Sequence, residues 1–223
     1  MQETTKPNIV SRKEWLASRK DFLKKEKELT RARDELNAER RKLPMVEIDM
    51  EYIFEGARGK ASLLDLFEGR RQLIVHHVMF DPSWNKACSG CTHHMDDLGH
   101  LPHLHEKNTT LAVVSRAPLS KIVAYKKEMG WTFPWYSSFG SDFNYDFHVT
   151  LDEAVTPLQI NFRSKKEHEK AVGRWDIWGT ELPGVSVFLR EDDRIFHTYS
   201  TYSRGLDILL FSLNYLDLTP LGR

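Results

Sequence analysis

From Trp15 to Leu43 an apolar side chain returns at every seventh position, Trp15, Phe22, Leu29, Leu36 and Leu43, with Leu16 and Leu23 beside the first two. Such spacing predicts one helix with a single apolar stripe on an otherwise charged rod. Ser11-x-x-Glu14 reads as a capping box, with Val10 and Trp15 placed as the hydrophobic staple across it, and Pro44 stops the run. A two-stranded coiled coil needs a second apolar seam, and the positions that would supply it, Ser18, Lys25, Ala32 and Glu39, offer only one small residue. The stripe is therefore expected to lie on the body of the same chain or on a partner in a homodimer. Residues 1–44 read as an N-terminal amphipathic helical extension.

After Pro44 the period shortens. Residues 45–54 alternate like a strand, Gly56 and Gly59 mark a turn, Ser62 is placed to cap a short helix through Phe67, and Gly69 ends it. Residues 73–80 (Leu-Ile-Val-His-His-Val-Met-Phe) suit a buried central strand, and residues 109–115 a second. Between them Met95, Leu98, Leu101, Leu104 and His105 recur at helical spacing, with Pro102 expected to kink or end the helix. Pro118 opens another helix that runs to Gly130. This succession makes strands 73–80 and 109–115 parallel neighbours. Residues 185–190 and 194–200 read as a hairpin across Glu191-Asp192-Asp193, and residues 206–216 as a final helix. Residues 45–223 are thus expected to form an α/β domain of the thioredoxin-like kind, a central mixed sheet flanked by helices, with residues of about 131–180 as an insertion. That insertion is aromatic: Trp131, Phe133, Trp135, Tyr136, Phe139, Phe143, Tyr145 and Phe147 fall within seventeen residues. They either give a long connection its own small core or form a lid over the functional site.

Composition narrows the function classes. The 223 residues are 40% hydrophobic and 29% charged, with 32 basic and 32 acidic side chains, so no global charge drives binding to nucleic acid or to a membrane. Residues 1–43 carry thirteen basic and eight acidic side chains, interleaved, which favours a solvated, ion-paired polar face over a membrane-surface helix. No apolar stretch approaches the length of a membrane span, and no signal-peptide core stands at the N-terminus. A cytoplasmic location is expected, where a lone cysteine pair is more often catalytic than structural.

Cys88 and Cys91 are the only cysteines, set as Cys88-Ser89-Gly90-Cys91 between the strand-like and helix-like runs. Two intervening residues allow one thiol to face outward at a helix N-terminus and the other to sit one turn behind, within reach of a disulfide. A four-cysteine zinc site is excluded by the count. A mixed site is not, since seven of the ten histidines lie between His76 and His105. The pair His100-x-x-His103 follows Cys91 after eight residues, shorter than the usual zinc-finger interval, and one helix would aim His94 and His105 away from His93, His100 and His103. The strand and helix flanks favour dithiol redox chemistry, with no metal and no cofactor, and the histidines read as local electrostatics.

Several longer motifs carry a resemblance: Ser62-Leu63-Leu64-Asp65-Leu66-Phe67, Val114-Ser115-Arg116-Ala117-Pro118, Gly130-Trp131-Thr132-Phe133-Pro134-Trp135, Ser141-Asp142-Phe143-Asn144-Tyr145-Asp146-Phe147, Thr198-Tyr199-Ser200-Thr201-Tyr202 and Leu216-Asp217-Leu218-Thr219-Pro220. With the CxxC they resemble the thioredoxin-like family known as domain of unknown function 899, from the N-terminal helix to Arg223. The resemblance implies a thioredoxin-like fold and a redox site, and no substrate. Pro183 sits where thioredoxins place a cis-proline facing the CxxC. Thioredoxin itself has Trp before the first cysteine and Gly-Pro between the pair, where this chain has Ala87 and Ser89-Gly90. Peroxiredoxins share the approach Phe80-Asp81-Pro82, but they place a threonine three residues before the reactive cysteine, and here that residue is Asn85.

The expected chemistry is thiol–disulfide exchange. Cys88 would attack, its pKa lowered by the helix N-terminus with help from Lys86 and His93 or His94, and Cys91 would resolve. Trp84 and Pro183 are the candidate substrate-binding residues, with simple loop packing as the other reading of Trp84. The partners would be a disulfide-bearing protein or small thiol and an electron donor that the sequence does not identify. The alternatives are a peroxiredoxin-like peroxide reductase, a copper-chaperone-like metal binder using His148 or His197, and a non-catalytic binding protein on the same fold.

Overall fold

A computed structural model describes residues 7–174 and 179–223, so residues 1–6 of the expected extension and 175–178 of the expected insertion lie outside the described residues. The chain divides into two units, Met1–Pro44 with Ser212–Arg223, and Met45–Phe211. The last twelve residues thus group with the N-terminal helix rather than with the α/β body.

Helix α1 (Arg12–Arg40) begins at the capping box: the Ser11 hydroxyl accepts from the Glu14 N–H at 3.3 Å, and the Glu14 carboxylate accepts from the Ser11 N–H at 2.9 Å. The Ser11 hydroxyl, which also donates to that carboxylate at 2.6 Å, and the Ser11 N–H hold the Glu14 pKa below its ordinary value. Its polar face carries ion pairs such as Arg19–Glu26 at 2.8 Å. No residue of α1 is buried, and Trp15, Phe22 and Leu29 are 45%, 55% and 71% exposed. A rod with one apolar residue per seven has too narrow a seam to sink any side chain fully.

In the second unit the alternating run 45–54 splits into β1 (Val46–Glu47) and β2 (Ile53–Gly56), followed by β3 (Gly59–Ser62). β1 pairs with the C-terminal hairpin while β2 pairs with β3 and β6, toward the other end of the strand order, so the run cannot be one strand. The Ser62 hydroxyl accepts from the Asp65 N–H at 3.2 Å, but the expected helix is a single 3-10 turn, Asp65–Phe67, whose cap position is Leu64 and which is ended by Glu68 in the left-handed region (φ 51). Strand β4 (Gln72–His77) leads to α2 (Ser89–Asp96) and α3 (Pro102–His105), two helices instead of one because Pro102 begins the second. Then follow β5 (Thr109–Ser115), α4 (Leu119–Met129) closed by Gly130 at φ 71, and β6 (Trp135–Ser137). α5 (Phe143–Asp146), β7 (Gln159–Ile160), β8 (Arg163–Ser164) and α6 (Lys165–Val172) precede the hairpin β9 (Gly184–Glu191) and β10 (Arg194–Tyr202). The expected final helix is a 3-10 segment, Ser203–Leu209, and then α7 (Phe211–Leu216), separated by extended backbone at Leu210.

The main sheet has the order β1-β10-β9-β4-β5-β6-β2-β3. β4 lies at its centre, parallel to β5 and antiparallel to β9. A parallel strand–helix–strand unit with a CxxC at the helix start and a following antiparallel hairpin is a thioredoxin-like fold. β6 runs parallel to β5, so Trp135 and Tyr136 belong to the sheet rather than to an insertion. Alternation along β4 divides the core. Leu73 and Val75 face Phe54, Phe143, Phe147 and Phe188, while Val78 and Phe80 join Cys91, Met95, Ile122 and Trp135 under α2 and α4. Each fully buried large side chain contributes about 1.5–3 kcal/mol, so both layers hold β4 in place.

Candidate active site

β4 ends at His77, and residues 78–87 carry the chain to Cys88 at the N-terminus of α2. That loop is pinned along its length. The Asp81 carboxylate accepts from the Ser83 N–H at 2.8 Å and hydroxyl at 2.6 Å, and Lys121 Nζ donates to the carbonyls of Pro82 and Trp84 at 2.7 and 2.8 Å. Met79 touches both cysteines through its backbone: its carbonyl accepts from the Cys88 N–H at 3.0 Å, and its N–H donates to Cys91 Sγ at 3.4 Å. The Cys88 carbonyl accepts from the Thr92 N–H at 2.9 Å, and the Thr92 hydroxyl lies 2.8 Å from that of Tyr125 on α4. The first turn of α2 is thereby fastened to the loop that follows β4 and to the helix beside it.

The two free thiols sit in different surroundings: Cys88 is half-buried and Cys91 is buried. A hydrogen bond from the Cys91 thiol brings the Cys88 pKa down from 9.0 to about 5; burial opposes this, and the N–H groups of Cys91 and Gly90 add to the lowering. The same bond, with burial and the nearby Cys88 charge, pushes Cys91 well above 9.0 against the Met79 N–H. The leading cause is thus the neighbouring thiol, with the helix N-terminus second. Lys86, the expected helper, is instead paired with Glu128 at 2.6 Å. His94 packs edge-on to His76 with ring centroids 5.4 Å apart.

Trp84 is half-buried and packs against the same core layer as Cys88. Pro183 precedes β9, whose Gly184 pairs with His77 at the end of β4, so it lies beside the strand that feeds the thiols. No described peptide bond is cis, which corrects the expectation for Pro183. Its segment already runs as extended backbone, with Glu181 bridged to Thr150 and the Leu182 N–H bonded to the Val149 carbonyl at 2.8 Å, and a trans bond continues that path into β9. Among the described residues no three His, Cys, Asp or Glu side chains converge closely enough to hold a metal ion.

A charged hub beside this loop has no counterpart in the sequence-based expectations. Arg116, just past β5, donates to Asp81 at 2.9 Å, Tyr145 at 2.8 Å and Glu181 at 2.8 Å, and the Thr150 hydroxyl donates to Glu181 at 3.1 Å. Burial pushes the Glu181 carboxyl up against the Arg116 charge, while Ser83 and Arg116 hold Asp81 down against its own burial. The hub joins the loop that leads to Cys88 to the segment before Pro183. Its sequence signal was confined to Arg116, inside the motif Val114 to Pro118, because nothing in spacing relates residues 81, 116 and 181.

The sequence profile of the family described as "Bacterial protein of unknown function (DUF899)" matches residues 4–223, and the chain belongs to that family. No curated protein matches the chain. Among solved structures, a peroxiredoxin Q mutant of Xanthomonas campestris is 15% identical, over 78% of this chain and 95% of that one, with a TM-score of 0.43. PrxQ of Xylella fastidiosa is 12% identical over 78% and 94% with a TM-score of 0.46. The mitochondrial 2-Cys peroxiredoxin of Plasmodium falciparum is 13% identical over 78% and 94% with a TM-score of 0.45. The chain is a thioredoxin-fold protein whose cysteine pair is suited to redox chemistry. Among the described residues no helix is long and apolar enough to cross a membrane.

Proposed function

We propose that the protein is a dithiol–disulfide oxidoreductase. The observation that carries this reading is the asymmetry of the pair, a partly exposed Cys88 with a pKa of about 5 hydrogen-bonded to a buried Cys91 with a raised one. The Cys88 thiolate attacks a substrate disulfide, forming a mixed disulfide and expelling one substrate sulfur as thiolate. With Cys88 then uncharged, two causes of the high Cys91 pKa disappear, its hydrogen bond to the thiolate and the nearby negative charge. Cys91 loses its proton more readily at the moment it is needed, attacks Cys88 Sγ and releases the second substrate thiolate. Two electrons have passed to the substrate, and a donor dithiol must return them to the Cys88–Cys91 disulfide. Trp84 and Pro183 flank the approach as the substrate platform, supported by the Lys121 bonds to the loop of Trp84 and by the position of Pro183 next to the end of β4.

Peroxide reduction is the second reading, favoured by the same low Cys88 pKa and by the approach Phe80-Asp81-Pro82. There the thiolate would take one oxygen from a hydroperoxide, releasing an alcohol or water, and Cys91 would condense with the sulfenic acid and release water. Asn85 in place of the threonine hydroxyl weighs against it. Stopped-flow mixing of the reduced protein with either a dithiobis-nitrobenzoate disulfide or hydrogen peroxide separates the two. Faster reaction with the disulfide is expected, and a peroxide rate that greatly exceeds it would replace the first reading with the second.

We also propose a homodimer joined through α1, since the exposed stripe of Trp15, Phe22 and Leu29 needs a cover in water. Phe22→Asp should delay elution in size-exclusion chromatography. An elution volume equal to that of the parent at monomer size would sink the dimer.

A further inference from the structure

Between the tip of the β2–β3 hairpin and α4 lies a cavity of about 660 Å3, lined by Arg58, Lys60, Lys126, Asp65, Trp135 and Tyr136 among others. We propose that it binds a small polyanion, a molecule bearing two or more phosphate or carboxylate groups. The three cations come from separate elements, Arg58 from the hairpin turn, Lys60 from β3 and Lys126 from α4, and all three line this cavity. The ammonium of Lys126 donates to the carbonyls of Phe133 and Thr132, so among the described residues dipoles rather than a carboxylate answer its charge, and burial pulls its pKa below the ordinary lysine value. A half-buried cation in that state gains from any anion that enters beside it.

The carboxylates on the same wall are already engaged. Asp65 accepts from the Ser62 N–H and hydroxyl, both at 2.7 Å, with the Arg58 charge also holding its pKa down, and Glu68 pairs with Arg70 at 3.0 Å. The Arg58 charge also acts on the Tyr136 hydroxyl at this wall, partly opposing the burial that raises the Tyr136 pKa. The floor is built for the space. A Cβ at Gly56 would come within 2.6 Å of the Tyr136 ring, so glycine there lets the ring lie back against the hairpin. None of these residues belongs to the thiol site, so the inference does not depend on the redox reading.

Isothermal titration of the full chain at fixed ionic strength, with sodium pyrophosphate in one series and citrate in another, tests it. Saturable binding at one site per chain is expected with at least one probe, and the tighter probe tells phosphate from carboxylate chemistry. Lys60→Gln and Lys126→Gln should each weaken it about tenfold, the loss of one charge-assisted contact. Lys24→Gln on α1 should leave it unchanged. If Lys126→Gln fails to fold, the exposed Lys60→Gln and Arg58→Gln decide. Absence of saturable binding with both probes, or equal affinity in the cavity variants and the parent, overturns the proposal.

Discussion

The two faces of β4 carry adjacent, equally buried histidines in opposite company. His76 points toward α2, where its Nε2 has no hydrogen-bond partner among the described residues and its ring meets His94. His77 points the other way, into Phe143 and Phe147, and its Nε2 lies 2.9 Å from Ser186 Oγ, which continues through Ser200 to His197 at 2.8 and 2.7 Å. The first face holds the thiols and is assembled from loops and short helices. The second is an aromatic layer with a hydrogen-bonded polar chain through it, in which His77 Nε2 is partnered and Nδ1 has no partner among the described residues. The contrast separates a side where geometry must serve chemistry from one where it serves cohesion.

The largest effect should come from the thiol face and leave the other untouched. Cys88→Ser should abolish disulfide reduction, while Cys91→Ser should react once and stall as a mixed disulfide detectable by mass spectrometry. Both variants should melt close to the reduced parent. Faster alkylation at Cys91 than at Cys88 near neutral pH would reverse the assigned roles.

The aromatic face should show the converse. Phe143 is fully buried, with the rings of Tyr52, Phe54 and Phe147 at centroid distances of 5.0, 4.9 and 4.7 Å. Phe143→Ala should cost about 3–5 kcal/mol in denaturant unfolding. The pH midpoint of Cys88 alkylation in the surviving folded protein should stay near 5. A midpoint moved by a full unit would show that the two faces are coupled, and the division above would be wrong.

Arg116 is the place where such coupling could enter, because it ties the Cys88 loop to the segment before Pro183. Arg116→Gln leaves Asp81 and the buried Glu181 without their cation, and the expected cost is about 2–3 kcal/mol, below that of a fully buried pair because the guanidinium is partly exposed. Adding Glu181→Gln should recover part of it. A positioning role predicts, in addition, a changed reduction potential of the Cys88–Cys91 couple, which a purely cohesive role would not move. An unchanged potential confines Arg116 to stability.

How far these features could be read in the sequence follows from their range. The CxxC, the β4 to α2 junction, the parallel β4–β5 pair and the β9–β10 hairpin all rest on local patterns, and short-range spacing carried them. Trp135 and Tyr136 read as part of an insertion because a run of three residues is too short to show a period, and only its pairing with β5 makes it a strand. The trans bond at Pro183 and the Arg116 hub depend on contacts between segments some 29 to 65 positions apart. The stripe of α1 was legible as a pattern, while its exposure was not, since periodicity states that a face is apolar and leaves open what covers it.

The smallest effect tests the histidine contrast itself. Burial lowers both His76 and His77 from 6.5 to about 3, so each remains neutral in the folded protein at pH values where the unfolded chain is already protonated. For such groups the stability is fully present above about 6.5 and is lost as pH falls through that window toward 3. His94 and His197, also lowered mainly by burial, face the two histidines from α2 and β10 and add in the same direction. Replacing either His76 or His77 by Leu should therefore flatten the acid limb of a stability–pH curve by a similar amount. At pH 7.5, where both are neutral, the two should part. His77→Leu takes a partner from Ser186 and should cost about 1 kcal/mol, whereas His76→Leu removes a buried nitrogen that lacked one and should be near neutral. Equal costs at pH 7.5 would mean that His76 is as well satisfied as His77, and the two faces would differ in their thiols alone.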